Sequence, residues 1–193
     1  MRKIFLVRHG QDQDNANGIL NGRRNEPLTE TGLNQARSLS EALRTQQFHA
    51  DVIYTSPLQR AARTAEIIAE AIQGPTPDIL PLLIERDFGT MSGRPYQEVL
   101  ELCKDCLFPT ETLNYFLEAP GAETFPALYA RGQALLQEIQ DKHDAGTILL
   151  VAHGDIGKMI FAAYYKLNWE EALKHFHFGN SDLVELSEDA TID

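Results

Sequence analysis

The stretch Lys3–Gly10, KIFLVRHG, decides the fold. Ile4, Phe5, Leu6 and Val7 form an apolar run without alternation, as expected of a strand covered on both faces in a parallel sheet. The run discharges directly into Arg8, His9 and Gly10. Open α/β sheets bind ligands outside the carboxyl ends of their strands, where loops and helix N-termini converge. A lone tripeptide of this kind is usually a surface basic pair and a turn glycine. This one has an echo.

The echo is Thr147–Asp155, TILLVAHGD, where a second apolar run again ends in a histidine followed by glycine. Two strands therefore deliver His-Gly to one sheet edge. Ile156, Met159, Ile160 and Ala163 then recur at helical spacing, so the loop after His153 doubles as a helix N-terminus, whose N–H groups attract anions. Glycine after each histidine, Gly10 and Gly154, removes a side chain that would block close approach. The pattern points to a phosphate-sized anion held by His9, His153 and the amides near Gly154.

Composition narrows the alternatives. The chain has 193 residues, 43% hydrophobic, enough for one sizeable core. A net charge of -11 and a pI near 4.9 argue against nucleic acid or an anionic membrane as partner, since either calls for a basic face. No apolar run approaches the ~20 residues of a membrane span. The start, Met1-Arg2-Lys3 and four apolar residues, is too short for a secretory signal. A cytoplasmic protein is expected. Cys103 and Cys106 form a C-x-x-C, but no second pair or spaced histidines accompany it, and it lies inside a helical-looking segment. Ordinary reduced cysteines are the simpler reading.

In chain order, Gln11–Pro27 is a polar loop without regular period, long enough to suggest function. Asn15 and the Asn21-Gly22 turn are placed to aim amides at a bound group. Arg23 and Arg24 either reach a second negative charge or pair with Glu26 or Glu30. Thr29 caps a helix bearing Leu33, Ala36, Ser40 and Leu43 on one stripe. The strand Asp51–Ser56 runs through Pro57 into a helix ending near Gln73, with Leu58, Ala61, Ala65, Ile68 and Ile72 inward. Arg60, in its first turn, enters the same carboxyl-edge crevice; Arg63 lies one position off. The apolar Asp78–Gly93 segment delivers Glu85, read either as a proton donor or as half of a structural ion pair. Between Arg94 and Glu123, short helical patches at Gln97–Cys106 and Glu111–Leu117 suggest a cap. Phe125–Lys142 reads as a long helix, Trp169–Phe176 as a shorter one and Asp182–Ser187 as an edge strand. The whole, 1–193, reads as a single domain with a cap-like excursion at about 91–124.

Five blocks in this order, LVRHG, NGRRNEPLTETG, SPLQRAARTAE, IERDFG and VAHGD, closely resemble the histidine phosphatase superfamily, in the branch that includes cofactor-dependent phosphoglycerate mutases. The resemblance covers nearly the whole chain. It implies a three-layer α/β/α sandwich with a mostly parallel sheet. It also implies that His9 is the phosphorylated nucleophile and that Arg8, Arg60 and His153 clamp the phosphate. Glu85 takes the proton donor's place. Asn15 falls at a phosphoryl-contacting position, and Asn21 with Gly22 at substrate-lining ones. Gln11 replaces the glutamate frequent after RHG. The implied activity is hydrolysis of a small phosphomonoester without metal or other cofactor. A mutase, a phospho-ligand binding protein and a zinc site built from His9, His153 and Glu85 are the competing readings. Mutases of the family grip their product with further basic residues after the general acid, whereas Met91–Glu123 holds only Arg94 and Lys104 among a majority of carboxylates. A homo-oligomer is compatible with the sequence, which leaves the oligomeric state open.

Overall fold

The computed structural model describes residues 2–187. Its elements in chain order are β1 (Arg2–Arg8), α1 (Gln13–Ala16), α2 (Glu30–Thr45), β2 (Val52–Thr55), α3 (Gln59–Ile72), β3 (Asp78–Ile79), α4 (Tyr96–Leu102), β4 (Leu107–Pro109), β5 (Asn114–Phe116), α5 (Phe125–Lys142), β6 (Gly146–Ala152), α6 (Gly154–Tyr165), α7 (Trp169–His175) and β7 (Leu183–Leu186). The main sheet has the order β3-β2-β6-β1-β7. All its pairings are parallel except β1 with β7. The fold is the three-layer α/β/α sandwich that the family resemblance implies, with the parallel sheet expected from the two apolar strands.

Period-two geometry sends alternate side chains of one strand into opposite layers. Ile4 and Leu6 of β1, with Ile148 and Leu150 of β6, pack against α5 and α6 through Leu128, Leu135, Ile139, Ile156 and Met159. Val7, Leu149 and Val151 face α2 and α3 through Leu43, Ala61, Ala65 and Ile68. Both strands are therefore buried on both faces, which is why neither alternates in sequence. The helix stripes expected for α2 and α3 are the inward ones, with Ala36, Ser40, Leu43, Ala61, Ala65 and Ile68 buried and Leu33 and Ile72 half-buried at their ends.

The loop after β1 is fixed by backbone contact. A Cβ on Gly10 would lie 2.3 Å from the Gly32 carbonyl oxygen, and one on Gly32 would lie 2.0 Å from that of Gln11. Neither obstacle is a side chain that can turn aside, so either alanine forces a backbone shift, at typically about 1–3 kcal/mol. Thr29 caps α2 by accepting from the Gly32 amide at 3.0 Å and donates to Gln11 Oε1 at 2.9 Å. Gln11 is thus engaged by the start of α2.

One local expectation is corrected. Glu111–Leu117 is not helical but holds β5, paired antiparallel with β4. The Thr110 hydroxyl donates to the Leu113 carbonyl at 2.7 Å and closes the turn. Tyr115 and Phe116 then reach Phe125 and Phe88, at ring-centroid distances of 5.7 and 5.5 Å. Extended backbone sends these neighbouring rings to two different partners, a gain that outweighs weak helix propensity in so short a segment. Gln13–Ala16, within the expected loop, forms the single helical turn α1, capped by Asp12. Among the described residues no helix is long and apolar enough to cross a membrane.

Candidate active site

The register of β1 and β6 builds the centre of the site. Arg8 lies opposite Ala152, and the His9 amide donates to the Ala152 carbonyl at 3.0 Å. The next residue on each chain is a histidine, so the His9 and His153 rings meet at the carboxyl edge with centroids 5.0 Å apart. Both are buried, at 2% and 0% exposure.

Hydrogen bonds assign the ring protons. His9 Nδ1 is 2.6 Å from the Gly10 carbonyl and must donate to it, which leaves a lone pair on Nε2. Arg60 Nε lies 3.2 Å from His9 Nε2 and 3.2 Å from His153 Nδ1. His153 Nε2 then donates to Ser56 Oγ at 2.7 Å. Burial first, then the charge of Arg60, holds both imidazoles well below their ordinary value. His9 therefore stays neutral at neutral pH, with its one proton on Nδ1.

The same shifts predict acid sensitivity. Below the ordinary histidine value of 6.5 the unfolded chain binds protons at these two positions and the folded chain does not, so their contribution to stability is lost as pH falls through that value. Asp155, whose carboxyl burial and Glu85 raise to about 6, acts in the opposite sense only below that point. The urea midpoint is expected to drop on acidification just below 6.5, and less so in His153→Asn. Equal drops in the two proteins would contradict this account.

Arg60 is fully buried and anchored rather than free. Its Nη1 donates to the Arg24 carbonyl at 2.6 Å and its Nη2 to that of Gly22 at 2.8 Å. Only Nε faces the histidines, so the guanidinium offers one donor there and not a fork. Arg8 Nη1 donates to the Phe178 carbonyl at 2.7 Å, while its buried Nε has no partner among the described residues. An orphaned guanidinium N–H beside His9 is the donor an anion would satisfy. Arg63 turns outward to Glu66, at 2.9 Å.

Glu85 is buried, and its oxygens accept from the amides of Arg86, Asp155 and Ile156 at 2.7, 3.2 and 3.1 Å. The two α6 amides following Gly154 therefore donate to Glu85. Asn15 Oδ1 accepts from Asn180 Nδ2 at 3.4 Å, and the same Asn180 group donates to the His9 carbonyl at 3.0 Å. Asn21 is buried, with its amide donating to Asp12 Oδ2 at 2.5 Å. Gly22 adopts a positive φ of 51° and contributes its carbonyl to Arg60. These two residues support Arg60 and Asp12 from beneath.

Sequence reasoning passed over Asp12, Ser56, Arg86, Asp155 and Lys158. Arg86, 1% exposed, lies 4.3 and 4.1 Å from the ring centroids of Phe116 and Phe125 and 3.4 Å from Asp155. It ties β5 to α5 and α6. Asp155 and Lys158, three residues apart just after His153, share one face of α6, a signal available from the sequence. Burial lowers Lys158 to about 8. Arg8, Glu85, Gly154, Asp155 and Lys158 line a cavity of about 310 Å³ together with the less polar Leu20, Phe88, Tyr96, Tyr115 and Phe116.

This arrangement brings two neutral histidines, two arginines and a carboxylate together at one sheet edge. The model of the histidine phosphatase superfamily (branch 1) matches residues 4–191, and the chain belongs to that superfamily. A metal-independent phosphoserine phosphatase of Arabidopsis thaliana is 32% identical over 160 residues, 82% of this chain and 67% of that protein. A 2,3-bisphosphoglycerate-dependent phosphoglycerate mutase of Bartonella henselae is 30% identical over 176 residues, 89% of this chain and 85% of that protein. Among solved structures, Bacillus stearothermophilus YhfR superposes with a TM-score of 0.81 at 26% identity, covering 96% of this chain and 90% of that one.

Proposed function

We propose that the protein hydrolyses a small phosphorylated metabolite through a phosphohistidine, without a metal. The observation that carries this reading is the meeting of His9 and His153 across the β1–β6 register with Arg60 Nε between them. His9 Nε2 attacks phosphorus, the N–P bond forms and the bond to the leaving oxygen breaks. Arg8 and Arg60 stabilise the charge gathering on the phosphoryl oxygens, typically the largest catalytic contribution, while neutral His153, held by Ser56, accepts from Arg60 Nε and positions it. Glu85 gives its proton to the departing alkoxide. The resulting carboxylate then takes a proton from the water that attacks phosphorus and releases His9. The guanidinium groups supply the positive charge a metal would bring.

The organic part of the substrate enters the cavity, where aromatic side chains from Tyr96, Tyr115 and Phe116 favour a compact group. The α4–β5 segment supplies these walls and acts as the cap of a single domain. Water rather than a second substrate is the acceptor. Arg23 donates to Asp87 and Glu123, both at 3.2 Å, and Arg24 to Asp14 and Glu26, at 2.7 and 3.2 Å. Each is already paired with two carboxylates, which disfavours a grip on a product carboxylate. Assays on an aryl phosphate, phosphoserine, a sugar phosphate and 3-phosphoglycerate test the reading. Phosphate release well above isomerisation is expected. Faster isomerisation of 3-phosphoglycerate would make the protein a mutase, and tight binding without release would make it a phospho-ligand binder.

A further inference from the structure

Asp12 is a fully buried carboxyl inside the phosphoryl pocket, and the reaction as written gives it no part. Its Oδ1 accepts from the Asn15 amide at 2.8 Å, which fixes the side chain. Its Oδ2 lies 3.3 Å from Arg60 Nε and 4.0 Å from His9 Nε2. Arg60 Nε carries one hydrogen. Three lone-pair atoms crowd it: His9 Nε2, His153 Nδ1 and Asp12 Oδ2. A phosphoryl group on His9 Nε2 would add oxygens to a cluster already short of protons and set them beside a buried carboxylate. Like charges at that separation, away from water, cannot both persist.

Building on the phosphohistidine reading, we propose that Asp12 takes up a proton as the phosphoryl group binds and donates it, as an O–H hydrogen bond, to a phosphoryl oxygen beside His9. The same protonation releases Arg60 Nε–H, now shared with Asp12 Oδ2, for a second phosphoryl oxygen. One proton thus turns an acceptor into a donor and frees another donor. The alternative sites for that proton are less suited. His9 Nε2 must keep its lone pair to attack. His153, beside the Arg60 guanidinium, resists a second positive charge. The charged and titratable groups around Asp12 are His9 at the end of β1, Asp14 on α1, Arg60 on α3 and His153 before α6. Asn21 donates to the same oxygen from the loop. Burial raises the Asp12 carboxyl, with the neighbouring Asp14 adding to the shift and the Asn15 amide, Arg60 and Asn21 opposing it.

The test is calorimetric titration with sulfate, a tetrahedral dianion that does not itself titrate near neutrality, in buffers of different ionisation enthalpy. Wild-type protein is expected to take up one proton per sulfate bound, with affinity falling about tenfold per pH unit towards alkaline pH. Asp12→Asn keeps a donor that cannot titrate once Asn21 turns its amide. It should bind sulfate without proton uptake and with affinity flat over the same range. Asp12→Ser, which retains a capping oxygen and a hydroxyl donor, repeats the measurement should the asparagine variant not fold. Sulfate binding to wild type without proton uptake would overturn the role of Asp12 while leaving the pocket intact. Undiminished uptake in both variants would assign the proton to a histidine, and loss of binding in both would require the carboxyl itself; either overturns the proposal. Failure of wild type to bind sulfate at all would remove the phosphoryl pocket and the proposal with it.

Discussion

Replacing His9 with alanine is expected to lower kcat/KM for a phosphomonoester by roughly 10⁴-fold or more, as removal of a covalent nucleophile does elsewhere. The size follows from the absence of a substitute. His153 Nε2 is occupied with Ser56 and its Nδ1 with Arg60, so neither nitrogen is turned to take over the attack. The fold should survive. The imidazole closes no strand contact, and its Nδ1 bond runs to the adjacent Gly10. The truncation leaves Arg60 with its carbonyl partners at Gly22 and Arg24. Circular dichroism and a denaturant midpoint check folding, and steady-state kinetics check the loss. A folded His9→Ala protein within tenfold of wild type would remove histidine as the nucleophile.

The second large effect concerns Glu85. Glu85→Gln should reduce turnover of a sugar phosphate by roughly 10²–10⁴-fold, the usual worth of a general acid, and spare an aryl phosphate. An alkoxide is a poor leaving group that needs the proton as the bond breaks, whereas a phenolate departs without it. Glutamine preserves one oxygen for the surrounding amides but turns an NH₂ towards the rest of the set from Arg86, Asp155 and Ile156. That mismatch costs stability equally for every substrate, typically about 1–3 kcal/mol for an unsatisfied buried group. Dependence on the leaving group therefore separates proton donation from structural support. Equal losses on both substrates would make Glu85 a brace for the start of α6 and no more.

How much of this was legible beforehand depended on whether the information was periodic. β1 and β6 were readable because burial on both faces demands continuous apolar residues, and their shared ending placed His9 and His153 together before any coordinates. The stripes of α2, α3 and α5 obeyed the helical repeat and gave the layers. Arg60 was separable from Arg63 by its position in the first turn after a strand. Interactions with no period were not readable. Nothing in the sequence says that the outer nitrogens of Arg60 bind the Gly22 and Arg24 carbonyls, or that Glu85 claims the amides of α6. Asp12 passed for a loop residue because its burial comes from Asn21 and Arg60, brought in from loop and helix. Glu111–Leu117 reads as helix where the structure has β5, because a three-residue strand takes its stability from distant rings and not from local propensity.

The central claim is that a phosphoryl group passes through His9, and rapid quenching of turnover with phosphate-labelled substrate tests it most directly. The account predicts labelled protein whose label is lost in acid and kept in base, as a phosphoramidate requires, and no label in His9→Ala. Label that survives acid, label retained by the His9→Ala protein, or unlabelled enzyme under rapid turnover and conditions chosen to trap the intermediate would contradict it.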